Sequence, residues 1–465
     1  MEWEVSPEVN NEALTGFFEA MKQRNREVHT LQIYRGGKKL LRVAMAPYSC
    51  TDSRENYSLS KTFTATVAGI AVSQGLLDLH DSLAGILGVK GLSPRCAAMT
   101  LEHALSMNTG HAEDAIRRMG NAEDAVSAFF SVEPEYEPGT HFTYNSGATC
   151  MVAAAVEKAS GMSFFDYACE NLFYPMGITD VSWDRVADGH CVGATGLHIC
   201  NDDILKLGLL YAGKGVYQGR RYLPEAWIER ATSPVSDNSS SDLPDWKNGY
   251  GYQVWLNARD GYRGDGAYGQ LCLVLPGHDM VVAVQGSIGG MQGEMDEVFR
   301  LIDQICQPSG RPAPLAFPTL ESEELGSLSG QWHLDPNFAG IQTVRLVTEG
   351  DRVRLTFGDG FALQTLEAAV GTWTENRLMV RNMTPSHMCW ISYAEKKEIR
   401  VAACCARQGD VLQIQLRHHT NPHAEVYEFR TEGDRLTWTI RVCQFPDMEL
   451  RPKDQCLLTG RKIGE

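Results

Sequence analysis

The chain is short of positive charge: 42 Lys and Arg stand against 58 Asp and Glu in 465 residues, a formal net charge of −16. Such an excess repels a phosphate backbone, which excludes nucleic acid as a partner. Long apolar runs are missing too. The longest, from Thr62 to Leu77, is interrupted by Thr, Ser, Gln and Gly and is too short to span a bilayer, so no membrane span is expected. The 13 cysteines are odd in number and no two form a Cys-x-x-Cys pair, which argues against a disulfide framework and against a zinc site. No metal is expected. The first residues, Met1-Glu2-Trp3-Glu4, carry neither the basic segment nor the apolar run of a secretory signal, and with reduced thiols this predicts a cytoplasmic location. A phosphate-cradling Gly-x-x-x-x-Gly-Lys-Ser/Thr loop, internal repeats and low-complexity tracts are all absent. What remains is an ordinary globular composition, 43% hydrophobic and 22% charged, which excludes wholesale disorder.

The length is about three times the ~150-residue domain prior, so two or three domains are expected. Residues 8–25 read as a helix, and His29 to Pro47 holds two apolar runs broken by Gly36-Gly37, a hairpin signal. Helical patterns then dominate: Ser58 to Gln74, Thr100 to Ser106, Ser146 to Ala159, Phe164 to Leu172, Asp202 to Ala212 and Pro224 to Ala231. Strand patterns return at Tyr250 to Leu256, Gln270 to Leu275 and Met280 to Gln285, before a closing helix at Glu294 to Ile305. Strands at both ends with helices between predict one sheet completed by the two ends of residues 1–306. Residues 307–318 carry four prolines in twelve positions, which keeps the chain extended and marks a linker. Beyond it, in 319–465, short β-rich runs recur: Val344 to Val347, Val353 to Phe357, Met388 to Tyr393, Ile399 to Cys404, Leu412 to Leu416, Glu425 to Arg430 and Leu436 to Val442. Gly-Asp turns near 350, 359, 409 and 433 separate them, so this part reads as an antiparallel β domain, barrel or sandwich.

The most informative residues are Ser58-Leu59-Ser60-Lys61, opening a predicted helix. The i, i+3 spacing brings the Lys61 amine within reach of the Ser58 oxygen. A serine hydroxyl needs a base before it attacks, and a lysine serves only when burial or a neighbouring cation lowers its pKa. Alone, the tetrapeptide is weak: most such occurrences are an N-cap serine followed by a solvated lysine. Two further segments change that weighting. Pro138-Gly139-Thr140-His141-Phe142-Thr143-Tyr144-Asn145-Ser146-Gly147 follows about 85 residues later and precedes another helix. Tyr262-Arg263-Gly264-Asp265-Gly266-Ala267-Tyr268-Gly269-Gln270-Leu271 leads into a strand.

Together with Gly75-Leu76-Leu77-Asp78, these segments resemble the serine β-lactamase-like hydrolase superfamily, in particular its esterases, D-aminopeptidases, penicillin-binding proteins and class C β-lactamases. The resemblance covers residues 10 to 306 and implies an α/β sandwich with a central antiparallel sheet, the site lying between sheet and helical lobe, with no cofactor. It assigns Ser58 as nucleophile and Lys61 and Tyr144 as its activating groups. The Tyr144 phenol is expected to shift toward phenolate, take the Ser58 proton and return it to the leaving group. Ser146 takes the third position of the tyrosine motif, where its hydroxyl faces Lys61 or the acyl group. Aligning Gly269 with the family's later glycine puts Gly264-Asp265-Gly266 on the usual Lys/His-Thr/Ser-Gly triad. The cation is missing. The Ser58 and Ala267 amides would form the oxyanion hole, with Gly266 lining the substrate site. Arg263 is one residue from the missing cation, but strand alternation turns it to the other face.

Loss of that cation weakens recognition of a substrate carboxylate, the group penicillins share with D-Ala-D-Ala peptides. The expected activity is therefore ester or amide hydrolysis on small or hydrophobic acyl substrates. Acyl transfer, β-lactam or D-amino-acid peptide hydrolysis, and a ligand-binding protein without turnover are the rivals. His111, in the loop after Met107-Asn108-Thr109-Gly110, is a candidate lining residue. Trp246, Tyr250, Tyr252 and Trp255 read mainly as core, with one or two free to wall an acyl pocket. His418-His419 and Cys404-Cys405 are adjacent pairs in predicted strands, whose side chains point to opposite faces and so do not chelate one metal. For the β domain two roles stay open, covering the cleft or self-association into a homo-oligomer.

Overall fold

The computed structural model describes residues 2–307 and 319–463, apart from positions 25, 120–121, 187, 327, 338, 359, 361, 380–397 and 444–454. The expected linker, but for Gln307, and the expected strand Met388 to Tyr393 lie outside the described residues.

Strands β1 (Trp3–Val5), β2 (Glu27–Arg35) and β3 (Lys38–Ala44) join β4 (Trp255–Leu256), β5 (Tyr262–Gly266), β6 (Gln270–Leu275) and β7 (Met280–Ser287) in one seven-stranded sheet. Its order is β1-β3-β2-β7-β6-β5-β4, with every neighbour antiparallel. The two ends meet where β2 pairs with β7, Ile33 opposite Val282 and Leu31 opposite Val284. Between β2 and β3, Gly36 and Gly37 both take positive φ (56° and 72°), the backbone that a two-residue hairpin loop demands.

Both faces of the sheet are covered. Leu271, Leu273, Leu275, Val282 and Val284 pack on one face against α1 (Asn11–Gln23) and α5 (Met291–Gln304). Leu14, Phe17, Phe18 and Met21 recur at helical spacing on α1, and Asn10 caps it by accepting from the Ala13 amide. The intervening residues Cys272, Val274, Val281 and Ala283 face a larger helical lobe built on α2 (Ser60–Ser73), α3 (Ser146–Ser160) and α4 (Asn201–Ala212). Alternation along β6 and β7 thus serves two cores at once.

The C-terminal strands β8 (Gly330–Leu334), β9 (Thr343–Glu349), β10 (Arg352–Gly358), β11 (Leu363–Val370), β12 (Thr374–Met379), β13 (Glu398–Gln408), β14 (Val411–His418), β15 (Ala424–Glu432), β16 (Arg435–Cys443) and β17 (Gln455–Lys462) form a closed barrel, not a sandwich. Nine strands close in the order β11-β10-β9-β8-β17-β16-β15-β14-β13, with β12 continuing the edge of β13. The closing pair, β11 with β13 (Ala369 opposite Cys404), is parallel and departs from the expected all-antiparallel pairing. The interior is filled: Trp438 is fully buried against Phe357, Tyr427 and Phe429.

Helix α4 lies so close to the sheet that a Cβ on Gly208 would stand 2.4 Å from Val281 Cγ1. Gly208→Ala is therefore expected to cost about 1–3 kcal/mol by overpacking, read from denaturant unfolding. An unchanged midpoint would show that the layer can give.

Candidate active site

Ser58 lies in a single 3₁₀ turn, Tyr57–Leu59, that runs straight into α2 at Ser60. The turn is strained. Tyr57 sits at φ 48°, where a side chain costs about 1–2 kcal/mol, so its surroundings must hold it there. One turn on, the Lys61 amine donates to Ser58 Oγ at 2.9 Å and to the Ala194 carbonyl at 2.8 Å. Lys61 is only 2% exposed, and among the described residues no carboxylate lies within ion-pair distance of it. Burial therefore pulls its pKa down to about 8, against a weaker opposing pull from Asp114 and Asp265.

Tyr144 closes the group. Lys61 Nζ stands 4.9 Å above its ring centroid, and Trp255 stacks on it at 5.3 Å. Here the structure corrects an expectation. Burial, with Asp265 nearby, pushes the phenol well above its ordinary value, so Tyr144 stays neutral in the free protein and the phenolate is disfavoured. The group whose pKa falls into a working range is Lys61.

Asn145, the next residue, fixes the start of α3. Its Oδ1 accepts from the Ala148 amide, capping α3, and from the Ala115 amide. Ser146, two residues after Tyr144, is the first residue of α3 and half-buried. His111 turns away from the expected lining position. It is 1% exposed, and its Nε2 faces the Val132 carbonyl at 3.1 Å, which requires a proton there. Its Nδ1 then accepts from Thr109 Oγ1 and Asn145 Nδ2. Both nitrogens are taken up by the protein, so His111 is a packed loop anchor and offers nothing to a ligand.

The third segment is β5 and its hairpin. A Cβ on Gly266 would stand 2.1 Å from the Asn56 carbonyl oxygen, and one on Gly264 would stand 2.4 Å from Thr62 Oγ1 and 2.7 Å from Leu59 Cδ1. These glycines are there because β5 lies directly on the serine turn and the first turn of α2. The hairpin tip follows at once: Ala267 is exposed, and Tyr268 and Gly269 take positive φ (66° and 79°). No lysine can occupy position 264 in this packing. The neighbouring cation is committed elsewhere: Arg263 is fully buried, donates to Asp265 Oδ2 (3.0 Å) and Asn257 Oδ1 (2.8 Å), and lies 4.2 Å over Trp246. Trp255, Tyr250, Phe142 and Met107 complete an aromatic cluster around Tyr144, whereas Tyr252 joins the helical-lobe core and its hydroxyl donates to Glu102.

Three parts of the site escaped sequence reading. The Ala194 carbonyl that holds Lys61 carries no side-chain signal. Asp114, which accepts from the Gly147 and Ile116 amides, reads in the sequence as one acidic loop residue among many. Asp265 lay inside the third segment, but nothing local foretold a buried pair with Arg263.

The beta-lactamase family model matches residues 17–307, and the chain belongs to that family. Penicillin-binding protein 4 of Amycolatopsis lactamdurans is 23% identical over 308 residues, covering 56% of this chain and 80% of that protein. The octameric penicillin-binding protein homologue of Pyrococcus abyssi aligns over 92% of this chain and 97% of its own, with 16% identity and a TM-score of 0.53. EstCE1, described as a hydrolase with promiscuous acyltransferase activity, aligns over 63% of this chain and 97% of its own, with 14% identity and a TM-score of 0.54.

A lysine with its pKa lowered to about 8 is neutral above that pH and protonated below it. Reactivity of Ser58 toward a fluorophosphonate probe is therefore expected to rise with pH and level off above about 8, followed by intact mass. A profile flat from pH 6 to 10 would remove Lys61 as the base. Lys61→Arg, which stays protonated, is expected to slow labelling by about a hundredfold or more.

Proposed function

We propose that the chain is a serine hydrolase that forms an acyl-enzyme on Ser58, acting as an esterase or amidase on small or hydrophobic uncharged acyl groups. The observation that carries this reading is the 2.9 Å approach of a buried, depressed-pKa Lys61 to Ser58 Oγ. In its neutral form the amine takes the Ser58 proton as Oγ attacks the substrate carbonyl carbon. The oxyanion is held by the Ser58 and Ala267 amides. The proton that Lys61 took from Ser58 returns to the leaving alcohol or amine as the tetrahedral intermediate collapses, relayed by the Tyr144 hydroxyl, which stays neutral throughout. Water, deprotonated through the same pair, then releases the acid.

Substrate preference rests on the third segment. Position 264 is sterically closed to a cation, and Arg263 is bound to Asp265. A penicillin or D-Ala-D-Ala carboxylate would meet no free cation there. Phe142, Tyr250 and Trp255 around Tyr144 favour an apolar acyl group. Transfer of the acyl group to an alcohol or amine belongs to the same chemistry, and product analysis with an added acceptor separates it from hydrolysis. A cytoplasmic location and self-association complete the reading, the first supported by ten free cysteines among the described residues and the second by the octameric archaeal neighbour.

Nitrophenyl acetate and butyrate are expected to be turned over by the parent and not by Ser58→Ala, and to exceed a chromogenic cephalosporin in kcat/KM. Equal turnover by parent and Ser58→Ala would overturn the assignment. Faster cephalosporin hydrolysis would overturn the substrate preference.

A further inference from the structure

The barrel reaches the serine. Between β14 and β15, residues 418–423 lie against the turn that carries Ser58. The Glu55 amide donates to the Thr420 carbonyl at 2.9 Å. Tyr57 Oη and His423 Nε2 are 2.9 Å apart. His423 is 5% exposed, and its backbone amide donates to Asn421 Oδ1 at 2.8 Å, which fixes the turn's own shape. Behind this contact the turn is anchored by charge: His419 Nδ1 lies 2.8 Å from Asp52, Arg400 lies 3.3 Å from Asp52, and Arg417 pairs with Glu27. His418 faces the other way, onto Glu425 of the barrel.

Two tyrosines bear on this contact, and they have something in common. Tyr57 precedes the nucleophile and Tyr268 follows the oxyanion residue Ala267, and both sit in the left-handed region, at φ 48° and 66°. Neither is a residue that adopts this conformation unaided. Their rings meet edge to face at 4.9 Å, and the His423 ring meets Tyr268 at 5.0 Å and Tyr57 at 6.3 Å. One barrel histidine thus touches both strained residues beside the two chemical parts of the site. Strain of this kind persists only where the surroundings over-determine it.

We infer that the barrel turn 418–423 is part of the catalytic apparatus, with His423 as a positioning residue that holds the Ser58 turn and the Ala267 hairpin in register through Tyr57 and Tyr268. The catalytic consequence rests on the proposed acyl-enzyme chemistry; the positioning itself does not. Asp52–His419 and Glu27–Arg417 dock the barrel as a body, and the His423 triangle transmits that docking to the site.

The test uses the full chain with His423→Ala, His423→Gln and Tyr57→Phe. Two readouts are followed, backbone hydrogen exchange of segments 54–60 and 266–270, and the rate of Ser58 labelling by a fluorophosphonate. His423→Ala and Tyr57→Phe are each expected to speed exchange in both segments by about five- to tenfold, the loss of one buried hydrogen bond. Labelling should slow by at least as much, while exchange of β2 and β7 stays unchanged. His423→Gln, whose amide can still bond the Tyr57 hydroxyl, is expected to recover most of both. Unchanged exchange in the two segments in Tyr57→Phe, which removes a single oxygen, overturns the inference, and so does equal loss in Gln and Ala. A parent whose Ser58 is never labelled defeats the proposed function, and the exchange comparison still decides the positioning.

Discussion

Everything in the site depends on one close contact, the seating of β5 on the serine turn through two glycines, Gly264 and Gly266. Gly266 meets the Asn56 carbonyl and Gly264 meets Thr62 and Leu59, at distances no Cβ could share. That seating sets the hairpin tip, Ala267 to Gly269, directly after the glycine that meets the serine turn. It also seals the first turn of α2, keeping Lys61 dry enough for its pKa to fall. And it leaves no room for a side chain at position 264. In the proposed function, nucleophile activation and poor carboxylate recognition would both follow from this packing.

The charges around the site fit this account. Arg263 and Asp265 neutralise each other beneath Trp246 and Trp255. Removing either partner would leave a buried, unpaired charge, a far larger perturbation than the pair itself. They behave as a strut under the hairpin. The acidity of the whole chain says little about the substrate; this local arrangement says more.

Local features were legible in the sequence because local physics determines them. The Gly36-Gly37 hairpin, the apolar spacing of α1 and the Ser58–Lys61 spacing each follow from a few adjacent residues. Cys405 on β13 faces the barrel core as strand alternation requires, whereas β14 ends at His418, so His419 lies beyond the strand; the two histidines address different partners. What depends on distant parts of the chain was not legible. Strand β11, Leu363-Gln364-Thr365-Leu366-Glu367-Ala368-Ala369-Val370, has the Ala and Glu of a helix and becomes a strand only because the barrel must close through β13. His111 sits in the expected loop, yet the Val132 carbonyl, 21 residues on, turns it inward. The contact of His423 with Tyr57 spans 366 residues and has no sequence signature.

In the proposed function, one packing arrangement both activates Ser58 and denies a carboxylate its partner. The most direct measurement is the acylation rate of Ser58, by rapid quench and intact mass, with a matched pair of aryl esters that differ only in a carboxylate on the acyl group. The neutral ester is expected to acylate faster, with both adducts absent from Ser58→Ala. Faster acylation by the carboxylate-bearing ester would contradict the account.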